Sequence, residues 1–157
     1  MPVSVANEKS AAAADDPALQ HDLEQIQGRW ERIGRNAKKE MTLRQERVIK
    51  GDVESLTTWF PDGTMAIKQT ARFRLERFGP VRVFHVFERT EELGPSAGLS
   101  FEVDYSSVYR IDKQTFLDTP GLFRSRPSYQ DVPTVYQWTR PETLHRDDAA
   151  PPDKKPK

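Results

Sequence analysis

Residues 53–88 read VESLTTWFPDGTMAIKQTARFRLERFGPVRVFHVFE, and this stretch carries the clearest strand and turn signals of the chain. It contains runs in which apolar and polar side chains alternate, which is the period of a β-strand with one buried face. Two turn sequences, Pro61–Thr64 and Gly79–Pro80, separate these runs. In the first turn, proline fixes its own φ and Gly63 can adopt a left-handed backbone conformation. The stretch therefore predicts antiparallel strands joined by tight turns.

The same alternation continues on both sides of this stretch. It predicts strands over 30–36 and 41–49 upstream, and over 101–111, 115–117 and 134–140 downstream. The whole chain thus contains roughly eight short strands with frequent turns, a pattern typical of a closed barrel or a sandwich. An eight-stranded barrel has an interior that side chains can fill, or that can hold one small ligand.

The chain is expected to contain one domain with a polar segment at each end. Asp16 before a proline is a helix N-cap signal, and apolar residues at helical spacing predict a short helix that ends near Gln27. We expect a polar leader over 1–15, a domain over 16–141 and a polar tail over 142–157. These ends explain why the apolar fraction is only 36% while the charged fraction reaches 31%.

The composition argues against several classes of protein. Positive and negative side chains are equal in number, and a formal charge of zero argues against a general nucleic-acid-binding protein. The absence of cysteine excludes disulfides and thiolate chemistry. No apolar run predicts a membrane span, and the first residues lack the pattern of a secretory signal. We expect a cytoplasmic protein as the sequence is written, or an exported one if a signal has been removed. The sequence does not identify a protein partner.

Gly94–Gly98 matches the G-x-S-x-G sequence of serine hydrolases. That chemistry requires the serine on a sharp turn between a buried strand and a helix. A strand is predicted after this motif instead, so we interpret the match as a loop of small residues. His21, His85 and His145 show no metal-ligand spacing. We therefore expect no catalytic residues, no metal, no cofactor and no enzymatic activity.

Three side chains in the predicted strands are candidates for contact with a ligand. His85 lies among apolar neighbours, where it is either a locally hydrogen-bonded wall residue or a polar contact inside a cavity. Tyr105 and Tyr109 share one face of their strand, and a buried tyrosine needs a partner for its hydroxyl group. Packing is the simpler interpretation for all three, and a ligand contact is the alternative.

Several arginines alternate with apolar residues along the middle strands. They are Arg72, Arg74, Arg82, Arg89 and Arg110. Carboxylates are interleaved with them, so we interpret these arginines as a solvated outer face rather than as a basic binding surface.

Gly28-Arg29-Trp30, directly after the predicted helix, resembles the G-x-W signature of lipocalins. In that superfamily the tryptophan closes one end of the barrel, and an arginine from the last strand packs on it. Arg140 stands at the corresponding place in the last predicted strand. The resemblance implies an up-and-down β-barrel in which Gly28, Trp30 and Arg140 form this closure.

Over about residues 22–140, the chain resembles a bacterial family of lipocalin-like domains of uncharacterised function. The similar segments are an L-x-G-x-W opening at 23–30, a middle hairpin at 73–80, a tyrosine strand and turn at 108–115, and the pair Arg126-Pro127. Two turns depart from the family pattern. Glu76-Arg77 replaces the usual Asp-Pro, and Asp112-Lys113-Gln114 replaces the usual Asp-Gly-Asp. These changes affect loop geometry more than fold.

Together these features predict a barrel that binds a small apolar or amphipathic molecule without covalent chemistry. The alternative is a non-enzymatic interaction or scaffold module whose barrel is filled by its own side chains. The enclosed volume separates the two. A cavity on the order of several hundred cubic ångströms favours binding, whereas a packed interior favours the module.

Overall fold

The computed structural model describes residues 16–102, 105–120 and 134–141. Within these ranges the elements are α1 (Pro17–Ile26), β1 (Gly28–Arg35), β2 (Met41–Lys50), β3 (Val53–Trp59), β4 (Met65–Phe78), β5 (Val81–Leu93), β6 (Ser100–Phe101), β7 (Tyr105–Ile111), β8 (Thr115–Pro120) and β9 (Tyr136–Thr139). The predicted leader, the predicted tail and the Arg126-Pro127 pair lie outside the described residues.

Eight of these strands form a closed antiparallel barrel. Strands β1 to β5 pair in sequence order, β7, β8 and β9 continue the ring from β5, and β9 returns to β1. The short strand β6 pairs with Arg89 and Thr90 of β5, on the edge that β7 occupies further along. The predicted all-β, eight-stranded up-and-down barrel with a short N-terminal helix is confirmed, and the sandwich alternative is not adopted.

Aromatic side chains fill the half of the barrel next to α1. Phe73 stacks on Phe84 with 4.6 Å between the ring centroids, and Phe116 lies 5.9 Å from both Phe84 and Trp30. Each such pair contributes about 0.5–1.5 kcal/mol beyond the burial of its area. This half of the barrel is therefore packed by the protein itself.

Helix α1 closes the packed end through a buried polar anchor. Asp16 caps the helix by accepting a hydrogen bond from the backbone N–H of Ala18 at 2.9 Å. Asp22, only 2% exposed, accepts from Arg82 Nη1 at 2.7 and 2.9 Å and from the Tyr109 hydroxyl at 2.7 Å. These charge-assisted bonds fix the helix across the barrel end. No helix in the described ranges has the length and apolar character needed to cross a membrane.

Strand β5 is longer than the sequence pattern indicates, because it continues through a β-bulge to Leu93. Arg72 of β4 pairs with Phe87 and Thr70 pairs with Thr90, so two residues of β5 stand opposite one residue of β4. Glu88, the first residue of the bulge, has a φ of 51°, which is rare for a residue other than glycine. The bulge shifts the alternation of β5 by one residue and so reverses which side chains face the barrel interior beyond it.

Candidate functional site

A cavity of about 280 Å³ lies inside the barrel, in the half away from α1. Residues that pair directly across neighbouring strands share a face of the sheet, and Arg47 pairs with both Trp30 and Leu56. These side chains therefore point inward. The cavity is lined by Gln45, Arg47, Glu54, Leu56, Gln69, Val86, Arg89, Tyr105, Asp118, Tyr136 and Trp138. The lining thus combines apolar side chains with charged, amide and hydroxyl groups.

Arg47, Glu54 and Asp118 form a buried charged cluster in the cavity wall, with relative exposures of 7%, 5% and 2%. Both terminal nitrogens of Arg47 donate to Asp118 Oδ2 at 3.3 Å, and Arg47 Nε lies 3.3 Å from Glu54 Oε2. Trp138 Nε1 donates to Asp118 Oδ1 at 3.1 Å. The Arg47 guanidinium also lies 4.3 Å from the centroid of the Trp138 ring. Both carboxylate oxygens of Asp118 are therefore occupied within the wall.

Burial and neighbouring charge act in opposite directions on the pKa values of Arg47 and Glu54. Burial lowers the pKa of Arg47, but the carboxylates of Asp118 and Glu54 outweigh it, so the pKa of Arg47 is raised. Burial raises the pKa of Glu54, and nearby Arg47 only partly offsets this shift. The cluster is therefore a firm Arg47–Asp118 ion pair beside a carboxyl group that is driven toward its neutral form.

The bulge in β5 brings Arg89 into the cavity wall, which corrects the assignment of this residue to a solvated outer face. Uninterrupted alternation would place Arg89 on the same face as His85 and Phe87. Arg89 instead lines the cavity, its Nε is buried without a hydrogen-bond partner, and its guanidinium lies 5.0 Å from the centroid of the Phe101 ring. The fold therefore presents a second cation to the interior.

Tyr105 and Tyr109, both candidates from sequence, occupy different parts of the interior. Tyr105 lines the cavity, and burial raises its pKa well above the ordinary value. Its hydroxyl group therefore remains a hydrogen-bond donor at neutral pH. Tyr109 lies in the packed half, where its hydroxyl binds Asp22, and burial followed by this hydrogen bond raises its pKa. Of the two tyrosines, only Tyr105 contacts the cavity.

His85 lies on the outer face of the barrel. It pairs with Arg74 and Ser106, whereas its neighbours Phe84 and Val86 point inward. Its Nδ1 and the Ser106 hydroxyl share a hydrogen bond of 2.6 Å. His85 is not among the residues that line the cavity, so a ligand contact there would have to form outside the barrel.

Gly28, Trp30 and Arg140 meet at the packed end. The Arg140 guanidinium lies 3.7 Å from the centroid of the Trp30 ring, and Trp30 Nε1 donates to the carbonyl of Ile26 at 2.7 Å. Gly28 has a φ of +100°, and a Cβ atom at this position would lie 2.9 Å from Arg140 Nη1. Any other residue at this position would have to adopt a left-handed backbone conformation, and its Cβ would displace the Arg140 guanidinium.

Sequence reasoning missed the charged residues that define the cavity. Arg47 and Glu54 are in phase with Ile49 and Leu56 on their strands, so polar side chains at inward positions were a readable signal. Asp118 lies 71 residues from Arg47 in the chain, and Arg89 depends on the bulge. No local pattern identifies either of these two.

Two other motifs carry no site chemistry in the described residues. Gly94–Gly98 forms the turn between β5 and β6, and the Ser96 backbone N–H donates to Glu91 Oε1 at 2.9 Å. A strand follows this turn, whereas a nucleophile elbow requires a helix there. Within the described ranges, no group of three or more histidine or acidic side chains is arranged to hold a metal ion.

Comparisons with models of known families, with curated proteins and with solved structures return no match. The closed eight-stranded ring, its order and the leading helix define a lipocalin-like barrel on geometry alone. A fold of this kind does not by itself define a function, so the evidence for function lies in the cavity.

Proposed function

We propose that this barrel binds a small amphipathic molecule in its cavity and performs no covalent chemistry on it. The observation that carries the proposal is the cavity of about 280 Å³ with its mixed lining. Ligand sites are usually apolar pockets with a few placed polar groups, and they begin at about 300 Å³. A volume at this lower limit favours a small ligand.

The lining supplies both parts of such a site. Leu56, Val86 and Trp138 form an apolar wall that can cover the body of a ligand. Gln45 and Gln69 line the same cavity and offer amide donors and acceptors that can orient a polar end. This division of apolar and polar groups supports an amphipathic ligand over a purely apolar one.

The alternative of a self-filled scaffold module fits only half of the barrel. Trp30, Phe73, Phe84 and Phe116 fill the half next to α1, but the half away from it retains the cavity. A barrel that served only as a scaffold would gain stability by filling this space as well. The retained volume therefore favours the container.

The absence of covalent chemistry is supported by the state of the cavity carboxylates. Both oxygens of Asp118 accept hydrogen bonds from Arg47 or Trp138, and burial drives Glu54 toward its neutral form. His85 lies on the outer face. A general base must be ionised and able to accept a proton from the ligand. An activity that disappears in His85→Ala would contradict this part of the proposal.

We further propose that the chain belongs with the bacterial lipocalin-like domains that it resembles. Support comes from the contact between Arg140 and Trp30 at the packed end. Trp30 is the tryptophan of the G-x-W sequence that carries the resemblance. A matching contact in a solved structure of that family would test this assignment.

Native mass spectrometry of gently purified protein tests the proposed function. We expect a small molecule, bound at one copy per chain, that leaves on denaturation. Leu56→Trp, which fills the cavity, should abolish its retention, while Val48→Trp, at an exposed position, should not. Thermal unfolding of both variants checks that the fold survives. A protein that emerges without ligand, and binds no amphipathic probe at millimolar concentration, would overturn the proposal.

A further inference from the structure

Arg89 is a cation of the cavity that no carboxylate of the described residues neutralises. Within the described residues, no carboxylate lies in ion-pair distance of Arg89, and its Nε is buried without a hydrogen-bond partner. The Nε of Arg47 also lacks a hydrogen-bond partner, but Arg47 lies in ion-pair distance of Asp118 and Glu54. Arg89 is half-buried, and shielding part of an arginine from water without a counter-charge is unfavourable, a cost that an entering anion relieves.

The position of Arg89 depends on a conformation that the fold imposes. Glu88 adopts a φ of 51° to form the bulge, and side chains other than glycine rarely occupy this region. The bulge turns Arg89 away from the outer face that alternation assigns to it. Bulges of this kind often re-aim a side chain at a functional site.

Tyr105 supplies a second donor in the same cavity. It lines the wall with Arg89, and its hydroxyl group is protonated at neutral pH, with a pKa that burial raises further. A guanidinium fork and a hydroxyl donor together match the oxygens of a carboxylate. Leu56, Val86 and Trp138 remain available for an apolar body.

The charge of the anion is limited by the rest of the wall. Arg47 is already paired with Asp118, and burial drives Glu54 toward its neutral form, so Arg89 is the cavity cation that no described carboxylate matches. A monoanion with two oxygens matches this single charge, whereas a doubly charged phosphate would bring in a second negative charge without a partner. The cavity therefore favours a carboxylate.

We propose that Arg89 and Tyr105 form an anion-binding end of the cavity, and that the ligand is a small amphipathic carboxylate. This inference rests on the proposed function, because it names the chemistry of the molecule that the barrel binds.

Isothermal titration calorimetry at neutral pH with octanoate, octanamide and octyl phosphate tests the inference. The three probes share an apolar chain and differ in the head group. We expect octanoate to bind at least about tenfold more tightly than octanamide, because a hydrogen bond to a charged group is worth this factor or more. Octyl phosphate should bind more weakly than octanoate.

Arg89→Gln should remove the preference for octanoate over octanamide while leaving octanamide binding intact. Arg110→Gln, a matched change at an exposed arginine of β7, should keep the preference. Tyr105→Phe should reduce it severalfold. The comparison of the three probes on the unaltered protein tests the inference even if a variant does not fold.

Equal affinities for octanoate and octanamide would overturn the carboxylate inference and leave the proposed function standing. Tighter binding of octyl phosphate would overturn it in favour of a phosphate site. Failure of all three probes to bind, together with unliganded protein in native mass spectrometry, would overturn both proposals.

Discussion

Arg140→Ala should destabilise the barrel by removing the contact that joins its last strand to the helix end. Arg140 Nη1 donates to the carbonyl of Gln27 at 2.8 Å, and Nη2 donates to the carbonyl of Gln25 at 2.8 Å. The guanidinium also lies 3.7 Å from the centroid of the Trp30 ring. The terminal carbonyls of a helix have no partners within it, so these bonds satisfy groups that would otherwise depend on water.

The magnitude follows from these contacts. A hydrogen bond from a charged donor contributes about 1.5–3 kcal/mol, and a cation–π contact at a half-exposed site about 0.5–1 kcal/mol. Water can reach the freed carbonyls because Arg140 is only half-buried, so the lower values apply. We expect a loss of about 3 kcal/mol in the free energy of unfolding. Arg140→Lys, which cannot bridge both carbonyls, should lose about half of that.

Urea unfolding followed by tryptophan fluorescence and by far-ultraviolet circular dichroism measures this loss. Arg110→Ala, at an exposed position of β7, is the control and should change stability by no more than about 0.5 kcal/mol. If Arg140→Ala behaves like this control, the contacts of Arg140 do not stabilise the closure and the reasoning is wrong.

Two further predictions concern the backbone and pH. Gly28→Ala should cost about 2–3 kcal/mol, because it combines a φ of +100° with a clash against Arg140, while Gly63→Ala, with a φ of +86° and no neighbour within 4 Å, should cost about 1 kcal/mol. Equal losses in urea unfolding would argue against the clash. Burial raises the pKa of Glu54, so its contribution to stability is present at acid pH and is lost as the pH rises through the folded-state value. The free energy of unfolding of Glu54→Gln should therefore increase relative to that of the unaltered protein as the pH is raised. Urea midpoints measured from acid to alkaline pH test this. Asp52→Asn should show the opposite trend, because the hydrogen bond from Arg72 lowers the pKa of Asp52. If both variants change in the same direction with pH, the assigned pKa shifts are wrong.

The two halves of the barrel have different physical roles. The half next to α1 is a packed aromatic core whose polar anchor, Asp22, is fully satisfied by Arg82 and Tyr109. The other half keeps a cavity and holds charged groups at inward positions. The aromatic packing lies in the first half, and the second half holds charged groups that would be unfavourable in a packed core.

The strands and turns of this protein could be predicted from its sequence because they depend on local chemistry. Alternation places Phe73 and Leu75 on one face, and Pro61 with Gly63 ends a strand wherever that strand lies in the fold. Asp16 as a helix cap is likewise a local signal. These features follow from backbone preferences over a few residues. The roles of Gly28 and Trp30 were implied instead by the resemblance to lipocalins.

The tertiary structure alone decided the chemistry of the cavity. Both faces of β5 are partly apolar, so only the pairing of its neighbours shows that Phe84 points inward and His85 outward. Arg89 enters the wall because a bulge at Glu88 shifts the alternation, and the bulge is held by the strands on either side. Arg47 meets Asp118 only when distant strands close into a ring. Contacts between distant segments leave no periodic signal, because they depend on register and closure rather than on neighbours in the chain.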